Sequence, residues 1–375
     1  MPMLYIHVPF CESRCIYCDF YSTTCRSEED RYISAAIREM QARAEELKGA
    51  PLRTVYTGGG TPSVLKPESL QRLFAAIEET FDISACSEIT IEVNPDDITP
   101  AYIKELRKTP VTRISMGVQS LDDGILKFLR RRHDASGAEK AYTMLRQAGY
   151  NNISIDLIYS IPGQSMETWS ATLDKALAMR PEHISAYDLS YEEGTPLTRL
   201  LEQGRVEACG EDDTIAMYAL LNKKLEAAGY ARYEISNFAR EGYHSRHNSG
   251  YWRGEPYLGI GASAHSFDGG NVRRANVADL QTYIAEIESG RCAYQSETLT
   301  PGQQYDETIY IRLRTADGID TEEIRRRFGD GCYRHMMKNA RPYIERGVLV
   351  RDGTHLRLGE SGIMLCDAVC RSLFL

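Results

Sequence analysis

The sequence predicts an α/β fold in which strands and helices alternate, followed by a smaller C-terminal α+β domain. Two observations support this prediction. Short runs of β-branched residues alternate with longer amphipathic stretches through residues 1–195. Beyond residue 298 the pattern changes to short helices and one alternating hairpin. With 375 residues, 42% of them hydrophobic, the chain is long enough for two such units, each with a buried core.

Six βα units account for the first part of the chain. The predicted strands cover residues 4–8, 53–57, 88–93, 113–118, 153–159 and 183–189. The first predicted helix begins near Ser27 and Asp30, which suit an N-cap, and the later ones cover residues 67–81, 122–131, 136–148 and 165–179. Six units are too few to close an eight-stranded barrel, so they predict either an open doubly wound sheet or a partial barrel. In both arrangements ligands bind at the carboxyl ends of the strands.

The rest of the chain is predicted as a connecting segment, residues 196–297, and a small domain, residues 298–375. A helix over residues 212–228 begins the segment, and a stretch rich in Gly, His and aromatic residues follows at 237–268. The small domain contains predicted helices at 321–328 and 334–346. It also contains the sequence LVRDGTHLRL, whose Asp-Gly turn predicts a β-hairpin.

Composition narrows the class of protein. The chain has 44 basic and 53 acidic residues, a net charge of −9, which gives nucleic acid no general electrostatic attraction to it. No apolar run approaches the about 20 residues that span a bilayer, and the N-terminus is unlike a signal peptide. We therefore expect a cytoplasmic protein with no integral membrane segment, which leaves open transient association with a membrane surface. Ten cysteines in such a protein indicate metal binding or redox chemistry rather than disulfides.

Three of the ten cysteines follow the first predicted strand directly. Cys11, Cys15 and Cys18 form a C-x3-C-x2-C motif on one short loop. Thiolates are preferred by iron–sulfur clusters and by zinc, and a four-iron cluster normally takes four cysteines. Three cysteines would leave one iron open. The alternative is a zinc site completed by a distant Cys or His.

Each later strand end carries residues suited to holding a polar ligand. The second strand leads into GGGTP at residues 58–62, where glycines let a ligand approach the backbone closely. Glu92, Gln119 and Asp156 belong to the third, fourth and fifth strands. Because the carboxyl ends of parallel strands meet at one edge, we expect these side chains to converge there.

Together, the segments CESRCIYC, GGGTP, EVNPD and ISMGVQS resemble the radical S-adenosylmethionine (SAM) family, in the branch that contains oxygen-independent coproporphyrinogen III oxidases and heme chaperones. The resemblance covers nearly the whole chain. It implies a partial (β/α)6 barrel and a [4Fe–4S] cluster held by the three cysteines, with SAM bound to the open iron through its amino and carboxylate groups. The implied SAM-binding residues are Tyr5, Gly59, Gly60, Thr61, Glu92, Gln119, Arg131 and Asp156.

A second motif, HNxxYW, begins at His247. Imidazole is a standard axial ligand of heme iron, and aromatic rings can stack on a flat macrocycle. The motif resembles that of the heme chaperones of this branch and implies that His247 binds heme. His244 and His265 are alternative ligands.

The resemblance implies a heme chaperone that passes heme to an acceptor hemoprotein, and it leaves open whether the protein is an enzyme. One alternative is a coproporphyrinogen III oxidase. The oxidases carry a fourth cysteine two residues after the third, where this chain has Phe20, and an N-terminal extension that we do not expect here. Another alternative is an iron–sulfur protein with a vestigial SAM site.

Overall fold

The computed structural model describes residues 1–375 and confirms the α/β prediction. The strands are β1 (Met3–Val8), β2 (Thr54–Gly59), β3 (Glu88–Val93), β4 (Arg113–Gln119), β5 (Ile153–Tyr159), β6 (His183–Asp188), β7 (Ala231–Arg232), β8 (Asn237–Ala239), β9 (Tyr257–Ile260), β10 (His265–Phe267), β11 (Val272–Asn276), β12 (Tyr294–Thr298), β13 (Ile319–Asp320), β14 (Leu349–Asp352) and β15 (His355–Leu358). The helices are α1 (Glu29–Arg43), α2 (Pro67–Thr80), α3 (Pro100–Leu106), α4 (Asp123–Phe128), α5 (Ala135–Gln147), α6 (Met166–Met179), α7 (Pro196–Glu202), α8 (Glu211–Ala227), α9 (Arg246–Trp252), α10 (Leu280–Glu288), α11 (Pro301–Leu313), α12 (Thr321–Glu345) and α13 (Cys366–Leu373).

One twelve-stranded sheet organises most of the chain. Strands β1 to β6 lie side by side in sequence order, and all are parallel. Strand β9 adds a seventh parallel strand on the other side of β1, and β8 pairs antiparallel with β6. The sheet is not closed, because β1 and β6 pair with β9 and β8 rather than with each other.

The local sequence explains these elements. Strand β5 is buried along almost its whole length, as expected of a parallel strand covered on both faces, and only Asp156 in its centre is less buried. Helix α2 begins at Pro67, whose fixed φ suits the first helical position. Its buried Leu70, Leu73, Phe74 and Ile77 follow the helical period and pack on the sheet.

Two helices differ from the sequence prediction. The helix predicted over residues 122–131 ends at Phe128, and Arg130 adopts a left-handed φ of 57°. The chain therefore turns before Arg131 instead of carrying it along the helix. The two helices predicted at 321–328 and 334–346 form the single element α12, interrupted at Gly329, where φ is 84°.

The C-terminal part forms a separate antiparallel sheet of β13, β15 and β14. The predicted hairpin is present as β14 and β15, and Gly353 in its turn has a left-handed φ of 59°. Residues 196–297, predicted as a connecting segment, contribute β7 to β12 to the large sheet. The three-part division of the chain stays a prediction. No helix is both long enough and apolar enough to cross a membrane.

Candidate functional site

A cavity of about 600 Å³ runs along the strands β1 to β6. It extends over their full length, since Arg113 and Gln119, the first and last residues of β4, both line it. We call it the barrel cavity. It brings together all twelve site residues that the sequence predicted: Tyr5, Cys11, Cys15, Cys18, Gly59, Gly60, Thr61, Glu92, Gln119, Arg131, Asp156 and His247. The alternative heme ligands His244 and His265 lie outside it.

The three cysteines lie at the carboxyl end of β1. Thr61 Oγ1 donates a hydrogen bond to Cys11 Sγ at 3.4 Å, and Arg131 Nη1 donates to Cys15 Sγ at 3.2 Å. Burial raises the pKa of the Cys11 thiol, and burial together with the neighbouring thiols raises that of Cys18 to about 11. Metal binding deprotonates such thiols, so the loop would lose protons as it takes up iron.

The donor set of this loop suits a cluster better than a single ion. No group of three or more His, Cys, Asp or Glu side chains converges closely enough to hold one metal ion. Zinc needs its sulfur ligands at about 2.3 Å from one point. In a four-iron cluster each cysteine can bind a different iron, so the three sulfur atoms need not meet at one point.

The glycines at the carboxyl end of β2 form one wall of the barrel cavity where side chains would not fit. A Cβ on Gly59 would lie 2.5 Å from the His7 imidazole, and one on Gly60 would lie 2.8 Å from the Phe10 carbonyl oxygen. Gly59 also has a φ of 107°, which favours glycine. This wall therefore offers backbone groups at close range to a ligand.

Two carboxylates lie in the middle of the cavity. Tyr56 donates a hydrogen bond to Glu92 Oε1 at 2.7 Å, and the Gly59 backbone N–H donates to Glu92 Oε2 at 3.1 Å. The Ser115 hydroxyl donates to Asp156 at 3.3 Å. Burial raises the pKa of Glu92 to about 7 and that of Asp156 to about 6. A cationic ligand group would offset this cost and favour the ionised forms.

Arg131 places a cation beside the cysteine loop. Its Nη2 donates to the Gly117 carbonyl oxygen at 2.6 Å and to the Asn94 side chain, while its buried Nε has no partner. Gln119, at the end of β4, has a left-handed φ of 67° that follows a register shift against β5. A side chain in this region costs about 1–2 kcal/mol, a strain typical of residues that the surrounding structure holds for function.

Helix α9 closes the end of the barrel cavity that is opposite the cysteine loop. The Glu88 carboxylate, at the start of β3, accepts hydrogen bonds from Arg246 N at 2.9 Å and His247 N at 3.0 Å. The Ser245 side chain caps the helix by accepting from Asn248 N at 3.2 Å. A buried acidic group at a helix N-terminus satisfies otherwise unpaired N–H donors and the helix dipole. The HNxxYW motif is thus fixed at the amino ends of the strands.

His247 is 1% exposed, and both of its ring nitrogens are hydrogen-bonded. Nδ1 shares a hydrogen bond with Thr54 Oγ1 at 2.8 Å, and Nε2 shares one with the Tyr251 hydroxyl at 2.9 Å. Burial lowers its pKa to about 3, so the ring is neutral at pH 7. Iron could bind Nε2 only after the Tyr251 hydroxyl moves away. The role of His247 as a heme ligand stays a prediction.

Sequence reasoning missed several residues that line this cavity, among them Tyr56 and His183. The Tyr56 ring stacks on His247 at a centroid distance of 5.1 Å, in addition to its bond to Glu92. His183 shares hydrogen bonds with Ser154 Oγ at 2.7 Å and the Tyr233 hydroxyl at 2.8 Å. Strand alternation could have indicated Tyr56, because it shares a face of β2 with Gly58. No comparable signal marks His183.

Comparison with known proteins first defines the class. Residues 5–176 match the Radical SAM superfamily model, and residues 299–365 match the HemN C-terminal domain model. The chain is 33% identical to the heme chaperone HemW of Bacillus subtilis, over 98% of both chains. It is 33% identical to HemW of Lactococcus lactis, over 99% of this chain and 97% of that one. It is also 32% identical to the mitochondrial radical S-adenosyl methionine domain-containing protein 1 of Danio rerio. That match covers 99% of this chain and 86% of the other. The chain therefore belongs to the radical SAM superfamily and, within it, to the HemW family.

A solved structure agrees on the fold. The coproporphyrinogen III oxidase HemN from Escherichia coli, described as a radical SAM enzyme, superposes with a TM-score of 0.86 at 23% identity. The match covers 100% of this chain and 90% of that chain. The shared architecture therefore includes the C-terminal domain as well as the parallel sheet. The superfamily carries a [4Fe–4S] cluster and SAM, whose predicted ligands all line the barrel cavity.

Proposed function

We propose that this protein is a heme chaperone that binds heme and transfers it to an acceptor hemoprotein. The observation that carries the proposal is the full-length similarity to proteins named heme chaperone HemW. The chain also combines a cysteine loop with an HNxxYW motif, and both line the barrel cavity. We place the protein in the cytoplasm, because its ten cysteines are all free thiols.

The barrel cavity holds the resident cofactors in this proposal. A bound [4Fe–4S] cluster supplies one-electron chemistry and an open iron for the amino and carboxylate groups of SAM. Glu92 and the glycine wall accept hydrogen bonds from the iron-bound amino group of SAM, and Arg131 pairs with its carboxylate. Gln119 and Asp156 accept or donate hydrogen bonds at the ribose hydroxyls. Cys11, Cys15 and Cys18 hold the cluster.

Heme is the cargo. His247 is the ligand that the sequence favours, and the Tyr251 hydroxyl must release its Nε2 before iron can bind there. His244 and His265 are exposed and have no hydrogen bond to either ring nitrogen, which leaves them chemically available. The choice among the three determines which surface of the protein an acceptor must approach.

Hemin titration of the anaerobically purified chain tests the proposal. We expect a saturable Soret band, and we expect the band to move to that of apomyoglobin when this acceptor is added in excess. Absence of a saturable band would contradict the proposal. Bovine serum albumin loaded with hemin is the control for passive release, and transfer from the chaperone should be faster.

The same preparation tests the oxidase alternative. With a reductant and SAM we expect no decarboxylation of coproporphyrinogen III, because Phe20 stands where the oxidases have a fourth cysteine. Phe20 is 63% exposed and lines the barrel cavity, so it presents an apolar surface there instead of a thiol. Turnover of this substrate would favour the oxidase.

A further inference from the structure

A second cavity, of about 840 Å³, lies outside the predicted SAM site. Residues of β1, β9, β10 and β11 line it on one side, and residues of α11 and α12 line it on the other. It shares Tyr5, Asp19, Phe20 and Tyr251 with the barrel cavity, so the two are neighbours separated by a thin wall. We call it the interdomain cavity.

The walls of the interdomain cavity suit a flat, largely apolar ligand. Phe20, Tyr21, Tyr257 and Phe267 provide aromatic surface, and Ile311 of α11 provides aliphatic surface. Phe20 is 63% exposed, so its ring is accessible to a ligand in this cavity. Aromatic rings of this kind stack on planar macrocycles.

Two histidines line this cavity, and they differ in their availability. His7 is buried, with Nδ1 bonded to the Tyr5 hydroxyl at 3.1 Å and Nε2 to the Tyr21 carbonyl oxygen at 2.9 Å. His265 is exposed and has no hydrogen bond to either ring nitrogen. Partial burial and the nearby Arg273 lower the pKa of His265, which favours the neutral ring. Only the neutral form has a lone pair for a metal ion.

Arginines surround the same space. The four are Arg253, Arg273, Arg312 and Arg327. Their acidic partners also line the cavity: Arg273 pairs with Glu307 at 2.5 Å, and Arg312 lies 3.4 Å from Glu323. A guanidinium has five N–H donors, so each arginine keeps donors free after one such pairing. Carboxylate groups on a ligand could take these donors.

We propose that the interdomain cavity is the heme site, with His265 as the axial iron ligand and with Arg273 and Arg312 pairing with the heme propionates. This inference rests on the proposed heme-chaperone function. The HNxxYW motif takes part through Tyr251, which lines the interdomain cavity and whose hydroxyl is held by His247. His247 is then a positioning residue, and heme lies beside the SAM site without entering it.

Hemin titration of full-length variants tests the assignment. We expect His265→Ala to weaken hemin binding at least about tenfold and to shift the Soret band, because an iron ligand is lost. Added imidazole should restore the wild-type band position. His244→Ala is the matched control, an exposed histidine outside both cavities, and it should change neither property. The His265 side chain makes no hydrogen bond, so its truncation to alanine should leave folding intact.

Metal-free protoporphyrin IX separates coordination from packing. It lacks iron, so its affinity should be the same for the wild type and His265→Ala. The double variant Arg273→Ala with Arg312→Ala should weaken both porphyrins, since both carry propionates. Equal loss of hemin and protoporphyrin in His265→Ala would overturn the coordination by His265.

The outcomes distinguish this inference from the proposed function. If His265→Ala keeps the wild-type band and affinity while a folded His247→Ala loses both, the interdomain site is wrong and the chaperone function stands. Circular dichroism melting would establish that His247→Ala is folded. If the wild type itself binds no hemin, the proposed function fails.

Discussion

The barrel cavity and the interdomain cavity share lining residues, but they hold the two candidate heme ligands, His247 and His265, in opposite ways. In the barrel cavity His247 is buried and bonded through both ring nitrogens, and Glu92 is bonded to Tyr56 and Gly59. In the interdomain cavity His265 is exposed and unbonded. Groups that the protein already positions bind a ligand with little reorganisation, which suits resident cofactors. Groups that are exposed to solvent change their binding partners readily, which suits a ligand such as heme that is bound and then passed on.

Among the predicted changes, removal of a cysteine from the loop should have the largest effect, and the effect should be confined to the barrel cavity. Cys15→Ser should abolish the iron–sulfur absorbance and reduce bound iron and sulfide to background, because only three cysteines are available on the loop. Hemin binding in the interdomain cavity should persist. Iron and sulfide analysis with a parallel hemin titration measures both.

The matched control for this variant is Cys25→Ser. Cys25 is exposed, and its Sγ lies 3.2 Å from the Ser27 hydroxyl. It should keep the full cluster. A Cys15→Ser protein with a full complement of iron and sulfide would show that the ligand set is wrong.

The next largest effect concerns the end of the barrel cavity that helix α9 closes. Glu88→Ala removes the buried acceptor for the N–H groups of Arg246 and His247 and for the Ser245 hydroxyl. We expect a loss of about 3 kcal/mol in the free energy of unfolding, since hydrogen bonds to a charged group contribute about 1.5–3 kcal/mol. Urea denaturation measures this loss. The exposed Glu78→Ala is the control and should change stability by no more than about 0.5 kcal/mol.

Glu88 lies at the end of the cavity opposite the cysteine loop, so its effect should be local. Amide hydrogen exchange should accelerate in α9 and stay unchanged at Cys11 to Cys18. Unchanged stability in Glu88→Ala would mean that the packing of α9, rather than this carboxylate, fixes the HNxxYW motif.

A smaller effect, on the affinity for SAM and its dependence on pH, should come from Glu92. Its pKa of about 7 means that the carboxyl is mostly protonated at pH 6 and mostly ionised at pH 8. If the ionised form accepts the hydrogen bond from the SAM amino group, SAM affinity should fall about tenfold from pH 8 to pH 6. Equilibrium dialysis of the cluster-loaded protein measures this profile. Glu92→Gln should bind SAM more weakly, with a flatter profile, and an unchanged profile in the variant would contradict the assignment.

The raised pKa of Glu92 has the opposite consequence for the stability of the ligand-free protein. The folded-state pKa lies above the ordinary value of 4.5, so the folded state binds the proton more tightly than the unfolded state. The contribution of Glu92 to stability is therefore present below pH 4.5 and is lost as the pH rises through about 7. SAM should stabilise the protein most at the upper end of this range.

The sequence predicted the barrel cavity well, because its residues belong to strands and strand ends that local patterns reveal. Six parallel strands follow from β-branched runs, and their shared edge brings Cys11, Glu92 and Asp156 together. Arg131 was the exception in its local context. It lies between Arg130 and Arg132 in a charged run that suggests a solvated helix face, and the left-handed turn at Arg130 that directs it inward has no sequence signal.

The interdomain cavity could not have been predicted in this way. Its walls come from β1, the short strands β9 to β11 and two helices of the C-terminal part, which meet only through pairings distant in sequence. Strand β9 pairs with β1, with Met3 opposite Tyr257. Strands of three to five residues carry too little pattern to predict such a pairing. The sequence therefore indicated His265 only as one of three candidate heme ligands, and the site around it could not be predicted.

The smallest effect lies in the wall between the two cavities. Tyr251→Phe keeps the ring and removes only the hydroxyl bonded to His247 Nε2, which should cost about 1 kcal/mol of stability. If His265 binds the heme iron, hemin affinity should change by less than about twofold, or about 0.4 kcal/mol, because the Tyr251 ring that lines the interdomain cavity is kept. If His247 binds it, the variant frees Nε2 and affinity should rise. The hemin dissociation constant of this one variant therefore separates the two ligand assignments without removing either histidine.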